Sequence, residues 1–332
     1  MPPSVSIVIP TYNSERTLDS CLGSILSQDY PANKIEIVIA DGGSTDGTLA
    51  IADRFLVSKI VHNPLRTGEA GKAVGVRASH HDVIALIDSD NILPSSDWLS
   101  RMVEPFEDKD IAATEPLLFT YRRSDPAITR YCALLGMNDV LCLFIGNYDR
   151  LSHLTGKWTG LNVNATEHGN YLQLRLRNGN IPTIGANGFL VRSELVRSLN
   201  RDPYLFDVDL VHQLVANGYN GIAKVKLGII HLFAADTREY IRKTRRRVSD
   251  YLLFQSTGRR EYPWRSFSGS GPQKLLLHSL VIVLPLRDCA KGYKRTPDMA
   301  WFFHLVACWV TLVVYGSALL VHSLRRAIMR IK

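Results

Sequence analysis

Two carboxylates one residue apart, Asp88 and Asp90, follow directly on the apolar run Val83-Ile84-Ala85-Leu86-Ile87. A short, continuous, β-branched-rich run of this kind predicts a strand buried on both faces. In open α/β sheets, ligands bind outside the carboxyl ends of the strands. Two acids at such an end suit a hard divalent cation, because Mg2+ and Mn2+ take oxygen ligands and share them with substrate phosphates. The chemistry on offer is the holding of a diphosphate. Standing alone, an Asp-X-Asp reads more simply as a solvated Asx turn. Its surroundings on the chain reverse that preference.

The elements that must position these acids are legible from periodicity. Val5–Pro10 and Ile35–Ala40 predict buried strands, Lys59–His62 a short third one and Val83–Ile87 a fourth. Between them, Ser14–Gln28 carries Leu18, Cys21, Leu22, Ile25 and Leu26 at helical spacing. Residues 41–48 form a loop leading into a helix through Phe55, and Ala70–Ser79 reads as a further helix. Strand and helix alternate over about ninety residues, the signature of a parallel sheet with helices on both faces. After Asp97 the pattern loosens. Ile111–Thr114 is a candidate strand, residues 124–180 are mixed and polar, and Thr183–Val191 combines β-type residues with glycines. Asp207–Asn217 then predicts a helix and Ala223–His231 a strand.

At 332 residues, 46% hydrophobic and 21% charged, the chain is long enough for one large or two modest domains and is globular in composition. Its net charge of +8 conceals an asymmetry. Residues 1–237 hold 21 basic and 26 acidic residues, a balance of −5; residues 238–332 hold 18 and 5, a balance of +13. An acidic body with a basic, apolar tail predicts a tail that meets an anionic surface, with membrane lipid ahead of nucleic acid. Cys21, Cys132, Cys142, Cys289 and Cys308 show no Cys-X-X-Cys spacing, and free thiols in a reducing compartment are the simplest reading. The opening residues run into a strand and predict no signal peptide.

Within the tail, Thr237–Gln255 sets Tyr240, Ile241, Val248, Tyr251 and Leu252 against Arg242, Lys243, Arg245, Arg246 and Arg247. That pattern predicts a basic amphipathic helix of the membrane-surface or partner-binding kind. Residues 258–272 read as a linker. Leu275–Leu286 is an uncharged run of 12 residues, too short to span a bilayer, whereas the 24 of Trp301–Leu324 suffice. Trp301 and Trp309 suit an interface belt. Basic residues flank this run on both sides, so orientation is not specified, and an in-plane arrangement or an oligomer core are the alternatives to a span. The chain divides on this reading into 1–236, a catalytic domain; 237–272, a basic helix and linker; and 273–332, membrane-associated helices.

Three segments in order, Val5-Ser6-Ile7-Val8-Ile9-Pro10-Thr11-Tyr12-Asn13, Ala40-Asp41-Gly42-Gly43-Ser44-Thr45-Asp46-Gly47-Thr48 and Asp88-Ser89-Asp90, resemble family 2 glycosyltransferases of the GT-A fold. The resemblance covers residues 4–232. It implies a Rossmann-like, mostly parallel sheet. It further implies that Pro10, Thr11 and Tyr12 line a nucleotide pocket and that Asp41 accepts a hydrogen bond from the base, as a carboxylate does well from an imide N–H. The alternative for Asp41 is a turn acid, although Asp46 fits capping better. Gly68–Lys72 resembles the family's helix start near the phosphates; helix N-termini favour anions, and Lys72 would add charge. Asp90 would bind the metal, Mn2+ or Mg2+, and Asp88 would lie against both metal and ribose. His231, closing a strand, matches a further metal ligand.

Tyr204–Leu210 resembles the segment that supplies the catalytic base. Asp207 falls on the base position and Asp209 on the supporting, donor-side acid; Phe206 stands where the family commonly has Glu, which leaves the choice between the two acids open. No Gln-X-X-Arg-Trp motif of processive synthases is present, so the resemblance implies transfer of a single sugar with inversion by direct displacement. The expected donor is a nucleotide-diphosphate sugar, UDP-linked in preference to GDP-linked. The expected acceptor is a lipid-linked group of the polyprenyl-phosphate type, with the catalytic domain on the cytoplasmic face of a membrane and no nucleic-acid partner. A soluble saccharide acceptor is the alternative. A nucleotidyltransferase is disfavoured because Thr11–Glu15 contains no glycine, and a non-catalytic membrane scaffold because Asp41, Asp88, Asp90 and Asp207 are all retained.

Overall fold

A computed structural model describes residues 2–199, 203–264 and 269–331. The strands are β1 Val5–Thr11, β2 Ile35–Asp41, β3 Lys59–His62, β4 Val83–Leu86, β5 Asn91–Ile92, β6 Ile111–Thr120, β7 Asn164–Glu167, β8 Tyr171–Arg175, β9 Phe189–Arg192 and β10 Gly221–His231. The helices are α1 Glu15–Leu26, α2 Thr48–Arg54, α3 Gly68–Ala78, α4 Trp98–Val103, α5 Ala127–Leu135, α6 Leu141–Ile145, α7 Ser193–Leu199, α8 Asp207–Ala216, α9 Thr237–Ser256, α10 Gly271–Leu280, α11 Val283–Arg295 and α12 Phe303–Ile331. They form two compact units, Met1–Thr120 with Leu161–Leu232, and Tyr121–Gly160 with Phe233–Lys332.

The first unit is built on one sheet in the order β3-β2-β1-β4-β9-β6-β10-β8-β7, with β5 paired to β10. The four strands read from the sequence run parallel, β3-β2-β1-β4, and their apolar runs account for it: Val5, Val8, Ile9, Val38 and Ile39 are fully buried, as strands covered on both faces require. Antiparallel β9 joins β4 to β6, and β10 returns parallel to β6. Register brings strand ends together. Thr11 lies opposite Asp41, Asp41 opposite His62, and His231 opposite Asn91.

Helix α3 lies hard against β1. A Cβ on Gly75 would stand 2.3 Å from Val8 Cγ1, and one on Gly71 would stand 2.7 Å from Pro10 Cβ. Two glycines one turn apart thus let the helix approach the strand closely. The helix starts at Gly68, two residues ahead of the reading from Ala70, because the Thr67 hydroxyl accepts the Ala70 amide at 3.1 Å and caps it. The hairpin β7–β8 and the two-residue β5 carry too little apolar alternation to be read from sequence.

In the second unit, Tyr131, Leu134, Leu135, Phe233, Tyr240 and Trp301 share one core. Residues 121–160 therefore cluster with the C-terminal helices, whereas the sequence reading leaves them inside 1–236. Two details of the tail differ from expectation. Trp301 is fully buried, with its Nε1 donating to Thr296 O at 3.0 Å and its ring over Gly292; it is not a belt residue. Arg247 leaves the basic face of α9 and meets Asp139 at 3.4 Å, so Arg242, Arg245 and Arg246 remain exposed. The run Leu275–Leu286 breaks at Val281-Ile282 into α10 and α11, because Pro285 can occupy the first turn of a helix but not its interior. Among the described residues, one helical stretch, Met299–Leu324, is long and apolar enough to cross a membrane; 28% of its most apolar window is buried.

Candidate active site

The residues expected to act together lie at the carboxyl ends of the parallel strands in the first unit. Asp41 ends β2 and is buried. Its Oδ1 accepts from the hydroxyls of Thr11 at 2.9 Å and Ser44 at 2.6 Å, and its Oδ2 from the amides of Gly43 and Ser44, both at 2.8 Å. Burial alone would raise its pKa, but the hydrogen bonds from Ser44, Thr11 and Gly43 outweigh that and hold it below the ordinary carboxylate range. Asp41 thus builds the turn after β2. Asp46 builds the next one, accepting the Thr48 amide at 3.1 Å. Of the β1 end, Thr11 is buried against Asp41 while Tyr12 is half exposed and Pro10 packs on α3.

Lys72, on the first turns of α3, is buried at the centre of an acidic group. Its Nζ lies 2.6 Å from Asp207 Oδ2 and 3.3 Å from Asp88 Oδ1. Burial opposes its charge, but Asp207 and Asp88 together raise its pKa above the ordinary lysine value. Asp207 opens α8. Its burial raises the carboxyl above the usual range, Lys72 offsets this only in part, and Asp88 adds to it. Asp207 Oδ1 is buried and makes no hydrogen bond among the described residues. A carboxylate held this way has one oxygen anchored and one free to accept. Asp209 is buried in the same first turn.

Asp90 turns the other way, its Oδ1 standing 3.4 Å from His231 Nε2. The pairing of Asn91 with His231 across β5 and β10, together with the Leu232 amide donating to Asp90 O at 2.9 Å, sets that contact. Asp207 and Asp88 flank Lys72, and Asp90 pairs with His231. The three carboxylates outnumber the one lysine. Two carboxylates and an imidazole are ligand types that suit Mg2+ or Mn2+, but among the described residues Asp88, Asp90 and His231 do not gather into one cluster: Asp88 faces Lys72, and Asp90 faces His231.

Sequence reasoning missed the groups that hold the glycine-bearing loop from Thr183 to Gly188. Glu115 and Lys224 form a fully buried ion pair between β6 and β10, and Glu115 Oε1 also accepts the Gly185 amide at 2.8 Å. Gly185 has φ +137°, and a Cβ there would stand 2.4 Å from Asp207 O. Asn91 Nδ2 donates to Asn187 Oδ1 at 3.1 Å, and Asn187 has φ +53°. The available signal was a glutamate inside the otherwise apolar strand after Ile111.

A strand-end cluster of acids on such a sheet defines a class of nucleotide-sugar-dependent transferases, and comparison with known proteins agrees. Residues 6–130 match the family model described as Glycosyl transferase family 2. An N-acetylglucosaminyltransferase of Bradyrhizobium elkanii is 30% identical over 137 residues, which are 39% of this chain and 73% of that protein. A dolichyl N-acetyl-alpha-D-glucosaminyl phosphate 3-beta-D-2,3-diacetamido-2,3-dideoxy-beta-D-glucuronosyltransferase of Methanococcus voltae is 31% identical over 109 residues, 31% of this chain and 34% of that one. Other curated relatives are matched over less than half of their length, 46% and 41%. Among solved structures, a mannosyltransferase from Pyrobaculum calidifontis, in complex with GDP-Man and Mn2+, superposes with a TM-score of 0.55 at 16% identity, covering 96% of this chain and 88% of that one. The fold is GT-A. The chain belongs to glycosyl transferase family 2.

Proposed function

We propose that this protein is a metal-dependent, inverting glycosyltransferase that moves one sugar from a nucleotide-diphosphate sugar, UDP-linked in preference to GDP-linked, to a hydroxyl or phosphate of a lipid-linked acceptor. The observation that carries this reading is Asp207: a partly buried carboxylate anchored to Lys72 through Oδ2, with a buried Oδ1 that makes no hydrogen bond among the described residues. Asp207 is the general base, with Oδ1, which is closed off from solvent in this structure, left to take the acceptor's proton. Lys72, shared between Asp207 and Asp88, supplies positive charge toward the leaving diphosphate. Asp88, Asp90 and His231 would hold Mn2+ or Mg2+, which as a Lewis acid neutralises phosphate charge. Pro10, Thr11 and Tyr12 line the nucleotide side. Asp41 lies there as well, and because both its oxygens are already engaged, a base N–H would replace one of the hydroxyl donors. Asp209 supports the turn that presents Asp207.

The lipid acceptor is favoured by the apolar stretch Met299–Leu324 and by the cations left exposed on α9, and the printed name of the Methanococcus voltae relative points the same way. The reading is then a membrane-associated enzyme whose catalytic unit, residues 1–120 with 161–232, would face the cytoplasm. A donor panel tests the reading: transfer from UDP- and GDP-sugars, with Mn2+ or Mg2+, to extracted lipids and to soluble saccharides. Product only on soluble saccharides would replace the lipid acceptor, and no transfer from any nucleotide sugar would remove the enzyme assignment.

A further inference from the structure

In the second unit, His278 Nε2, His304 Nε2 and Cys308 Sγ all lie within 4.8 Å of one another, and all three residues are buried. They come from separate elements: His278 from the last turn of α10, His304 and Cys308 one turn apart on α12. Asp288 of α11 faces the same point, its Oδ2 standing 3.4 Å from His278 Nε2 and 4.0 Å from His304 Nε2. Cys308 Sγ is 3.6 Å from His304 Nε2. We propose that His278, Asp288, His304 and Cys308 form a structural site for a tetrahedral divalent metal of the zinc class, joining the three helices and independent of the proposed active site.

The separations suit that ion. Bonds of about 2.0 to 2.3 Å place tetrahedral ligands roughly 3.3 to 3.8 Å apart, which brackets the His278–Asp288 and Cys308–His304 separations and lies close to that of His304–Asp288, while His278 lies within 4.8 Å of both His304 and Cys308. The ligand set also balances charge. Two neutral imidazoles, one thiolate and one carboxylate neutralise a divalent cation, so the filled site buries no net charge. On binding, the Cys308 proton leaves to solvent as the metal–sulfur bond forms.

Two further observations point to a ligand. His278 Nε2 is buried without a hydrogen bond, a costly state for a ring nitrogen that a metal would relieve. His304 Nδ1 lies 2.7 Å from the hydroxyl of fully buried Tyr131. Partners of this kind orient metal-bound histidines and leave Nε2 facing the ion. The Phe144 ring lies tilted beside His278, with centroids 5.0 Å apart.

The test uses the full-length chain, tag removed, in detergent. After exposure to zinc and desalting, metal analysis of the Asp90→Ala variant should find about one zinc per chain, the closed four-ligand stoichiometry; adding Cys308→Ser should abolish it. Cobalt in place of zinc should produce a thiolate-to-cobalt charge-transfer band that Cys308→Ser removes and both Cys21→Ser and Cys289→Ser retain. A strong chelator should lower the melting temperature of the Asp90→Ala variant and zinc should restore it, while Asp90→Ala carrying Cys308→Ser, folded by circular dichroism, should melt identically with and without chelator. Zinc well below one per chain in Asp90→Ala, no thiolate band, or a band that survives Cys308→Ser would overturn the proposal and leave the cluster as a metal-free packing of His278 against Asp288. Because the readouts are metal content, spectrum and melting, they do not depend on sugar transfer.

Discussion

Lys72 Nζ stands 2.6 Å from Asp207 Oδ2, joining residues 135 positions apart in the sequence. The contact places the one buried cation described in the proposed site between the residue assigned as base and the first acid of the Asp-X-Asp. On the proposed assignment, base strength and donor binding would be linked through a single ammonium group.

Asp207→Asn keeps the size of the side chain but cannot take a proton. Turnover should fall by roughly 10²- to 10⁴-fold, with nucleotide-sugar affinity retained. Single-turnover transfer and donor titration measure the two effects separately. If Asp209→Asn stops turnover and Asp207→Asn does not, the base is Asp209.

Lys72→Met removes the positive charge that opposes the burial-driven rise of the Asp207 pKa. The sign follows directly. A base acts deprotonated, Lys72 favours the deprotonated form, and its loss makes that form harder to reach. The acidic limb of the pH–rate profile should therefore move to higher pH in the variant. An unmoved limb would mean that Asp207 is not the titrating group.

Asp90→Ala should abolish metal-dependent transfer without unfolding the chain, and His231→Ala should weaken Mn2+ binding by roughly 10- to 100-fold or more. Calorimetric titration with Mn2+ reads the affinity, and EDTA followed by re-addition of Mn2+ or Mg2+ reads the dependence. Full activity in EDTA-treated enzyme would exclude the metal.

Gly185→Ala introduces a Cβ 2.4 Å from Asp207 O at a φ of +137°. The loop or the start of α8 must move, at a cost of about 1–3 kcal/mol. Small displacements of a reacting group can cost about 10²-fold in rate. The expected result is a fall in kcat with donor affinity nearly unchanged; equal activity in Gly185→Ala would show that the loop does not set the base.

Fractionation of the full-length chain tests the membrane reading. It should sediment with membranes, resist extraction by high salt, and dissolve in detergent, because apolar burial is insensitive to screening while basic residues near an anionic leaflet contribute only about 1 kcal/mol each and are screened. Release by salt alone would leave only the exposed cations of α9 as the attachment.

Local pattern in the sequence determined the parallel strands β1 to β4, the helices between them and the placing of Asp88 and Asp90 at a strand end. Those features depend on side-chain periods of two and 3.6 and on where an apolar run stops, and neighbours along the chain decide both. What needed the tertiary structure joins distant segments. Nothing near Lys72 announces Asp207, and nothing near Glu115 announces Lys224 or the amide of Gly185. Trp301 and Arg247 show the same limit from the other side: periodicity marked one for an interface and one for solvent, and packing against Gly292 and Asp139 buried the first and turned the second inward. Which buried polar groups meet is decided by the need to pair them across packed elements, and that requirement is satisfied only once the chain has folded.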